Sequence, residues 1–454
     1  MRPDLVVIGG GAAGLAAART ARRRHASVTL VSDGPLGGDC TFSGCVPSKT
    51  LLSSSRRGLS FDDAMTEVHR VVTDIASRED SHVLTREGVR VLQGRAEFVD
   101  AATVKVGAAT LRGARVVIAT GGGPLVPSIP GIETVAILTN ESLFALSSLP
   151  TRLVILGGGP IGVEMAEAFA RLGSAVTIVE SAPRVLPREE AEASAVIAEF
   201  LERLGVVVRT GTTCTALTNA GRHIALAVDH GTSLEADAVL VAVGRRASTD
   251  GLGLDAAGVR VDERGFVSVE ATMRTSQRHV YAAGDVALAQ QFTHVADETG
   301  RIAAVNVLSR VPRRRFHPEW TPMVTYTGLE VARVGVTEAQ AGPGARVAFL
   351  PMTEFDRAVT SGEEEGFVKI IVEPRPLSRN IAGGVLVGAT IVAPRAGDML
   401  QEIVLAMRAG MWPARLATTT HPYPSWALAV QQAASQFFGE FGGRTARAAR
   451  HGAG

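Results

Sequence analysis

Residues 37–49 read Gly-Gly-Asp-Cys-Thr-Phe-Ser-Gly-Cys-Val-Pro-Ser-Lys and hold two of the three cysteines, Cys40 and Cys45. Pro47 follows Cys45 by two residues, and Leu51, Leu52 and Leu59 continue an apolar pattern beyond it. Proline suits the first turn of a helix, where its missing N–H costs nothing. The spacing therefore predicts Cys45 at a helix N-terminus, where backbone N–H groups and the dipole stabilise a thiolate. Lys49 lies about one turn further on. Such a pair reads as a poised redox couple. The competing reading of the same residues is two cysteines buried in a loop, cysteine being among the most buried residue types.

A second chemistry is written in glycines. The apolar run of residues 4–9 ends in Gly-Gly-Gly-Ala-Ala-Gly, followed by an alanine-rich helical stretch and the apolar run 28–31. Gly9, Gly11 and Gly14 have dinucleotide-fingerprint spacing: one glycine for the tight turn, one for close approach of pyrophosphate, one for packing helix on strand. The acidic residue expected after the second strand falls on Ser32, with Asp33 next to it. The pattern returns at Arg152, with Gly157, Gly159, Gly162 and, in register, Glu180. Glu180 is placed to accept from a ribose 2′-hydroxyl, which favours NADH over NADPH; nearby Arg184 is the one argument for NADPH.

These residues need a scaffold of alternating strands and helices. A helical pattern covers residues 62–78, and short alternating runs at 89–92, 96–99 and 103–106 predict a small antiparallel meander. A buried-type strand at 115–119 feeds Thr120 and Gly121, and residues 189–204 read as an amphipathic helix. Strands at 239–244, 266–269 and 280–281 follow, the last leading into Ala282-Ala283-Gly284-Asp285, and a helix opens near His294–Ala296. After the basic loop 311–318, strands and helices alternate in an α+β domain, and the Arg/Ala/Gly-rich tail 442–454 is expected to fray. The fold class is α/β: two Rossmann-like dinucleotide-binding domains, one inserted in the other, then a C-terminal α+β domain. The domains fall at 1–147, 148–267, 268–318 and 319–454.

Composition narrows the partners. Of 454 residues, 46% are hydrophobic and 20% charged, and the net charge is +1, which argues against nucleic acid or a membrane surface as main partner. Apolar runs at 5–18 and 381–394 fall short of the roughly 20 residues a membrane span needs. No secretory signal precedes the cysteines, and a soluble, cytoplasmic protein is expected. A cysteine pair in that compartment is more often redox-active or metal-binding than structural. No metal-ligand set is assigned.

Two fingerprints, a CxxxxC pair and the AAGD segment together resemble the flavoprotein pyridine nucleotide-disulfide oxidoreductases, the group of glutathione reductase, dihydrolipoamide dehydrogenase and mercuric reductase. The resemblance covers nearly the whole chain in that family's order: FAD domain, inserted NAD(P)H domain, return to the FAD domain, dimerisation domain. It implies that Gly9, Gly11 and Gly14 cradle the FAD pyrophosphate and Asp285 binds its ribityl chain. Ser32, Asp33, Gly38, Thr120 and Gly121 join that cofactor wall. Cys45 is implied as the flavin-side thiol and Cys40 as the interchange thiol, with Lys49 and Glu164 an ion pair beside the flavin. The helix at His294–Ala296 turns its N–H groups to the flavin's pyrimidine edge, and Gly244 lies by the nicotinamide half.

The C-terminal end departs from the family pattern. Disulfide reductases carry HPTxSE, a histidine base with an orienting glutamate; here residues 420–429 read Thr-His-Pro-Tyr-Pro-Ser-Trp-Ala-Leu-Ala. Aligned on Pro424, Tyr423 takes the base position and Leu428 the glutamate position, with His421 two residues away. Tyrosine, with a pKa near 10, donates a proton better than it accepts one. Mercuric reductase also has tyrosine there, yet it uses a C-terminal cysteine pair, whereas Cys214 reads as a buried strand residue in the NADH domain. Asp39 stands where glutathione-reductase-like members have threonine, and a carboxylate beside Cys40 disfavours its thiolate.

The sequence thus predicts an FAD-dependent NAD(P)H oxidoreductase, a homodimer, passing electrons from NADH through FAD to Cys45 and Cys40 and on to a small thiol-reactive acceptor. A mercuric-reductase-like acceptor survives loss of the His–Glu dyad better than a large disulfide, because a soft metal ion needs thiolate ligands, not a base. The rivals are dihydrolipoamide dehydrogenase or another small-disulfide reductase, a quinone reductase, and a slow-turnover flavin redox sensor.

Overall fold

The computed structural model describes residues 3–112, 115–311, 313–375 and 380–450, which fall into two compact units. One takes the chain up to Pro150 and again Ala238–His317; the other takes Thr151–Asp237 and the chain from Pro318 onward.

The first unit is organised by a five-stranded parallel sheet in the order Val280–Ala282, Arg115–Ile118, Leu5–Ile8, Val28–Ser32, Val89–Gln93. The central strand is buried at every position, as expected of a parallel strand covered on both faces. Its side chains alternate accordingly. Leu5 and Val7 pack with the helices Ala12–Arg23 and Thr293–Leu308. Val6 and Ile8 pack toward Phe98, Val104 and Leu111 of a three-stranded antiparallel sheet.

That small sheet corrects the expected meander. Its strands are Ala96–Asp100, Thr103–Val106 and Ala109–Arg112, whereas Val89–Gln93 joins the parallel sheet beside Val28–Ser32. Val89–Gln93 is the edge strand and is buried on only part of its surface, which gives it the alternation of a half-exposed strand. The run 266–269 forms no strand of its own but a single bridge, Val261 to Val267.

The second unit repeats the βαβ arrangement: Arg152–Leu156, helix Pro160–Leu172 and Ala175–Val179, with Val207–Arg209 adding a further parallel strand. The antiparallel strands Cys214–Asn219, Ile224–Val228 and Thr232–Ala236 follow. From Pro318 the chain builds a six-stranded sheet in the order Met323–Thr325, Glu330–Gly335, Val385–Ala393, Phe367–Glu373, Arg346–Pro351, Arg447–Ala448. The helices Ala396–Arg408 and Leu428–Ser435 pack on it through Met399, Leu400, Ile403, Val430 and Ala433. Pro413–Thr418 is a short helix that the apolar pattern did not announce.

The tail differs from the expected frayed end. Arg447–Ala448 pairs with Arg346–Pro351, Arg444 bonds Glu354 at 2.5 Å, and Arg447 bonds Glu338. Residues 451–454 of that tail lie outside the described residues.

A buried cation sits in the same unit. Lys369, at 0% exposure, meets Glu190 at 3.2 Å, Glu192 at 2.8 Å and Glu338 at 3.1 Å. Burial opposes its charge, but the three carboxylates prevail and raise its pKa above the ordinary lysine value. Arg333 similarly bonds Glu189 at 2.6 Å. Among the described residues no helix is long and apolar enough to cross a membrane.

Candidate active site

Cys45 is the first residue of the helix Cys45–Arg56, capped by the backbone of Gly44, and Cys40 lies on the short helix Gly38–Phe42. Close packing forces the turn between them, since a Cβ on Gly44 would lie 2.8 Å from the Asp39 carbonyl oxygen. The two sulfurs share a hydrogen bond, and the hydroxyl of Thr293 reaches both of them, at 3.3 Å from Cys45 Sγ. Thr293 opens the helix Thr293–Leu308. The bond to Cys45, then burial, then the charge of Cys45 push the Cys40 thiol far above its ordinary range. Thr293 opposes that rise and Glu79 adds to it. The acid acting on Cys40 is thus Glu79, while the Asp39 carboxylate is occupied by Arg245 and by the Ser43 hydroxyl at 3.1 Å.

The glycine cradle beside this pair fits a dinucleotide. A Cβ on Gly9 would meet the Ala119 carbonyl oxygen at 2.1 Å, and one on Gly14 would meet the Gly9 oxygen at 1.8 Å. Gly11 caps the helix Ala12–Arg23 without a side-chain acceptor, so its first-turn N–H groups keep their capacity for an anion. Gly38 passes Gly11 so closely that a Cβ would lie 2.8 Å from its Cα. Two donors nearby, Arg245 Nε and Gln291 Nε2, are buried with no partner, as expected of a wall built to meet a polyol or phosphate. Burial raises the Asp285 carboxyl to about 6, against the pull of Arg245 and with the push of Asp39 and Cys45. These residues fit FAD.

The other residues expected at the cofactor are spread along this unit. Ser32 is buried and its hydroxyl donates to the Gly34 carbonyl at 2.9 Å, while Asp33 is exposed just past the strand end. Thr120 donates to the Ser248 carbonyl at 2.7 Å, and Gly121 and Gly244 hold left-handed backbone, φ +73° and +145°. His294 is exposed and stacks on Phe292 with ring centroids 5.3 Å apart. The Ala296 N–H is consumed by the Phe292 carbonyl at 2.9 Å, so the helix's free donors end one residue earlier. Lys49 sits on the cysteine-bearing helix, four residues past Cys45.

In the second unit, a Cβ on Gly162 would meet the Gly157 oxygen at 2.0 Å, and Gly159 caps the helix with Pro160 at its first position. Glu180 is buried and accepts from the backbone N–H groups of Gly158 at 2.6 Å and Ala182 at 2.7 Å. Arg184 donates instead to the Pro187 carbonyl at 3.2 Å. Glu164, also buried, accepts from the Tyr326 N–H at 2.8 Å. Cys214 is a buried strand residue whose thiol is pushed up by burial.

Tyr423 is 70% exposed and its hydroxyl donates to Asp356 at 3.1 Å, a bond that raises its pKa. His421 lies between two acceptors, Glu402 Oε2 at 3.0 Å and the Thr419 carbonyl at 2.9 Å. The histidine therefore has a carboxylate partner after all, supplied by helix Ala396–Arg408 and not by the segment that follows Pro424. Sequence reading missed Glu402, Thr293, Arg245 and Gln291. Each acts through a contact that only the fold creates, and none stands in a recognisable spacing.

Residues 3–301 match the pyridine nucleotide-disulphide oxidoreductase family, and residues 321–434 match its dimerisation domain. The chain belongs to this family. It is an FAD-dependent pyridine nucleotide-disulfide oxidoreductase, of the mixed α/β fold with a C-terminal dimerisation domain. It is 35% identical to a mercuric reductase of Streptomyces lividans, over 96% of each chain. It is 34% identical to a dihydrolipoyl dehydrogenase of Thermus scotoductus, over 95% of this chain and 96% of that one. Among solved structures it resembles the Cu(II) complex of the HOCl-induced flavoprotein disulfide reductase RclA from Escherichia coli, with TM-score 0.88 and 30% identity. That match covers 96% of this chain and 99% of the other.

Proposed function

We propose that this oxidoreductase takes electrons from NADH and passes them, through FAD and the Cys45/Cys40 pair, to a small thiol-reactive acceptor of the kind mercuric reductases use. The observation that carries this reading is the sulfur pair itself: two cysteines in mutual contact, bridged by one hydroxyl, with Cys45 at a helix N-terminus. When bound, FAD supplies a two-electron relay between a nicotinamide and a disulfide.

The chain's own residues then divide the work. Reduction breaks the Cys40–Cys45 bond with two electrons and one proton. The raised Cys40 keeps the proton, and Cys45, facing the helix N-terminus and the Thr293 hydroxyl, keeps the charge. Loss of the Cys40 proton then releases a nucleophile for the acceptor. The pyrophosphate rests on Gly9, Gly11 and Gly14, with Ser32, Asp33, Gly38, Thr120, Gly121 and Asp285 along the rest of FAD. Free first-turn N–H groups of the helix at His294 serve the ring edge. Gly157, Gly159, Gly162 and Glu180 hold the nicotinamide dinucleotide, with Gly244 toward its reactive half. Lys49 and Glu164 keep their implied roles as charged groups serving the flavin. Arg184, spent on the Pro187 carbonyl, supports NADH over NADPH. The protein is a cytoplasmic homodimer, with domains at 1–147, 148–267, 268–318 and 319–454.

A metal-ion acceptor is favoured by His421. Both of its ring nitrogens face acceptors, which leaves no free nitrogen to protonate a departing thiol. Tyr423 is the proton donor in that segment. The partner of His421, Glu402, keeps a second reading alive, a small-disulfide reductase in which His421 turns away from Thr419 to act as the base. Steady-state NADH oxidation with Hg(II), Cu(II), lipoamide, small disulfides and quinones separates these readings. Metal-ion turnover abolished by Cys40→Ala supports the first. Turnover with lipoamide and none with metal ions replaces it by the second, and no turnover above the oxidase background leaves a sensor.

A further inference from the structure

Arg245 serves two acids at once. Its guanidinium bonds Asp39, donates to the Gly122 carbonyl at 2.6 Å, and stands 3.5 Å from Asp285 Oδ2. Asp39 holds the better contact, a hydrogen bond reinforced by the Ser43 hydroxyl on its other oxygen. Asp285 keeps only a distance at which a hydrogen bond is poorly made. The arrangement is assembled by local structure. Asp39 rides on the short helix that carries Cys40, and Arg245 sits on the strand Arg245–Ala247, paired with Gly122–Pro124. The fold brings all three side chains to one place, although Asp39 and Arg245 are 206 residues apart in sequence.

One guanidinium carries a single positive charge and cannot neutralise two carboxylates. Asp285 is mostly buried, with 18% of its side chain exposed, so its charge depends on what faces it. The groups facing it are Arg245 from the strand, Asp39 from the Cys40 helix and Cys45 from the start of the next helix. Arg245 favours the ionised form; Asp39 and Cys45 oppose it.

We propose that Asp39 is a positioning residue of the cofactor site: by occupying Arg245 it withholds compensation from Asp285 and makes the grip on a hydroxyl-rich dinucleotide pH-dependent. The inference rests on the reading that Asp285 faces the ribityl chain of FAD. An ionised carboxylate accepts charge-assisted hydrogen bonds from hydroxyls, and protonation surrenders that capacity. Affinity for FAD therefore falls as pH falls through the titration of Asp285. Removing the charge of Asp39 frees Arg245 and removes a repelling anion, and both effects favour ionised Asp285. Removing Arg245 does the reverse.

Two measurements on the full-length protein test this. The first is FAD affinity, read by flavin fluorescence across the mildly acidic range. The wild type is expected to lose affinity severalfold as pH falls through about 6. Asp39→Asn, or Asp39→Thr as a second variant, moves that midpoint down by about one pH unit; Arg245→Gln moves it up, and Asp285→Asn abolishes it. The second is the carboxyl ¹³C titration of Asp285 in FAD-free protein, assigned by its loss in Asp285→Asn. A titration of Asp285 that stays put in both Asp39 variants overturns the proposal, as does an affinity transition that survives Asp285→Asn. Failure to bind FAD at any pH would overturn the cofactor reading alone, because the ¹³C titration still decides whether Asp39 governs Asp285.

Discussion

His421 Nε2 lies 3.0 Å from Glu402 Oε2, while His421 Nδ1 lies 2.9 Å from the Thr419 carbonyl oxygen. A neutral imidazole has one N–H and can serve only one of these acceptors. Burial raises the Glu402 carboxyl above the ordinary range, against the pull of His421.

That direction fixes a sign. A carboxyl raised on folding contributes stability that is complete below its unfolded pKa of about 4.3 and is lost as pH rises through the folded value. Glu402→Gln should therefore flatten the decline of stability with pH over that interval. Urea unfolding of both proteins at several pH values checks it, and parallel curves would refute the assignment.

Thr293 offers a test on the sulfurs. Its hydroxyl is 3.3 Å from Cys45 Sγ and supports a negative charge there. In the reduced protein Thr293→Val should slow iodoacetamide alkylation of Cys45 near neutral pH about tenfold, as expected for a hydrogen bond to a charged group worth about 1.5 kcal/mol. Thr293→Ser should restore it. Mass-spectrometric mapping of the alkylated cysteine supplies the readout, and equal rates in all three proteins would show that the hydroxyl leaves the charge alone.

Lys369 is expected to govern stability. Replacing it by methionine leaves Glu190 and Glu338 buried without their shared cation, a change that costs about 3–5 kcal/mol when one partner of a buried pair is removed. Glu338 adds an acid limb. Burial pushes its carboxyl up, but Arg447, the Arg450 N–H and Lys369 together bring it down to about 2. Its contribution is thus present above the ordinary carboxylate pKa and disappears as pH falls toward 2. Denaturant melts of Lys369→Met at neutral and acid pH measure both effects. A loss below about 1 kcal/mol would place the cluster among weak surface pairs.

What sequence could disclose followed the range of the interaction. The helix carrying Cys45 and both glycine turns depend on neighbours within a few residues, and they stand where the pattern places them. Val89–Gln93 was assigned to the wrong sheet because alternation records partial burial and not the identity of the neighbouring strand. The site divides in the same way. Cys40, Cys45 and the fingerprint glycines have diagnostic spacing. Thr293, Glu402 and Arg245 reach their partners across 248, 19 and 206 residues, and a threonine, a glutamate on an amphipathic helix and an arginine after a strand are ordinary locally.

The last described residues of the chain do more than close a sheet edge. Arg447 and the Arg450 amide are two of the three partners that keep Glu338 ionised, and Glu338 is in turn one of the three anions around Lys369. A protein shortened after Gly443, or one with a bulky C-terminal fusion that peels this segment away, would lose that stabilisation at neutral pH, and the deficit would fade as pH falls toward 2. Engineering at that terminus therefore reaches an interior charge balance.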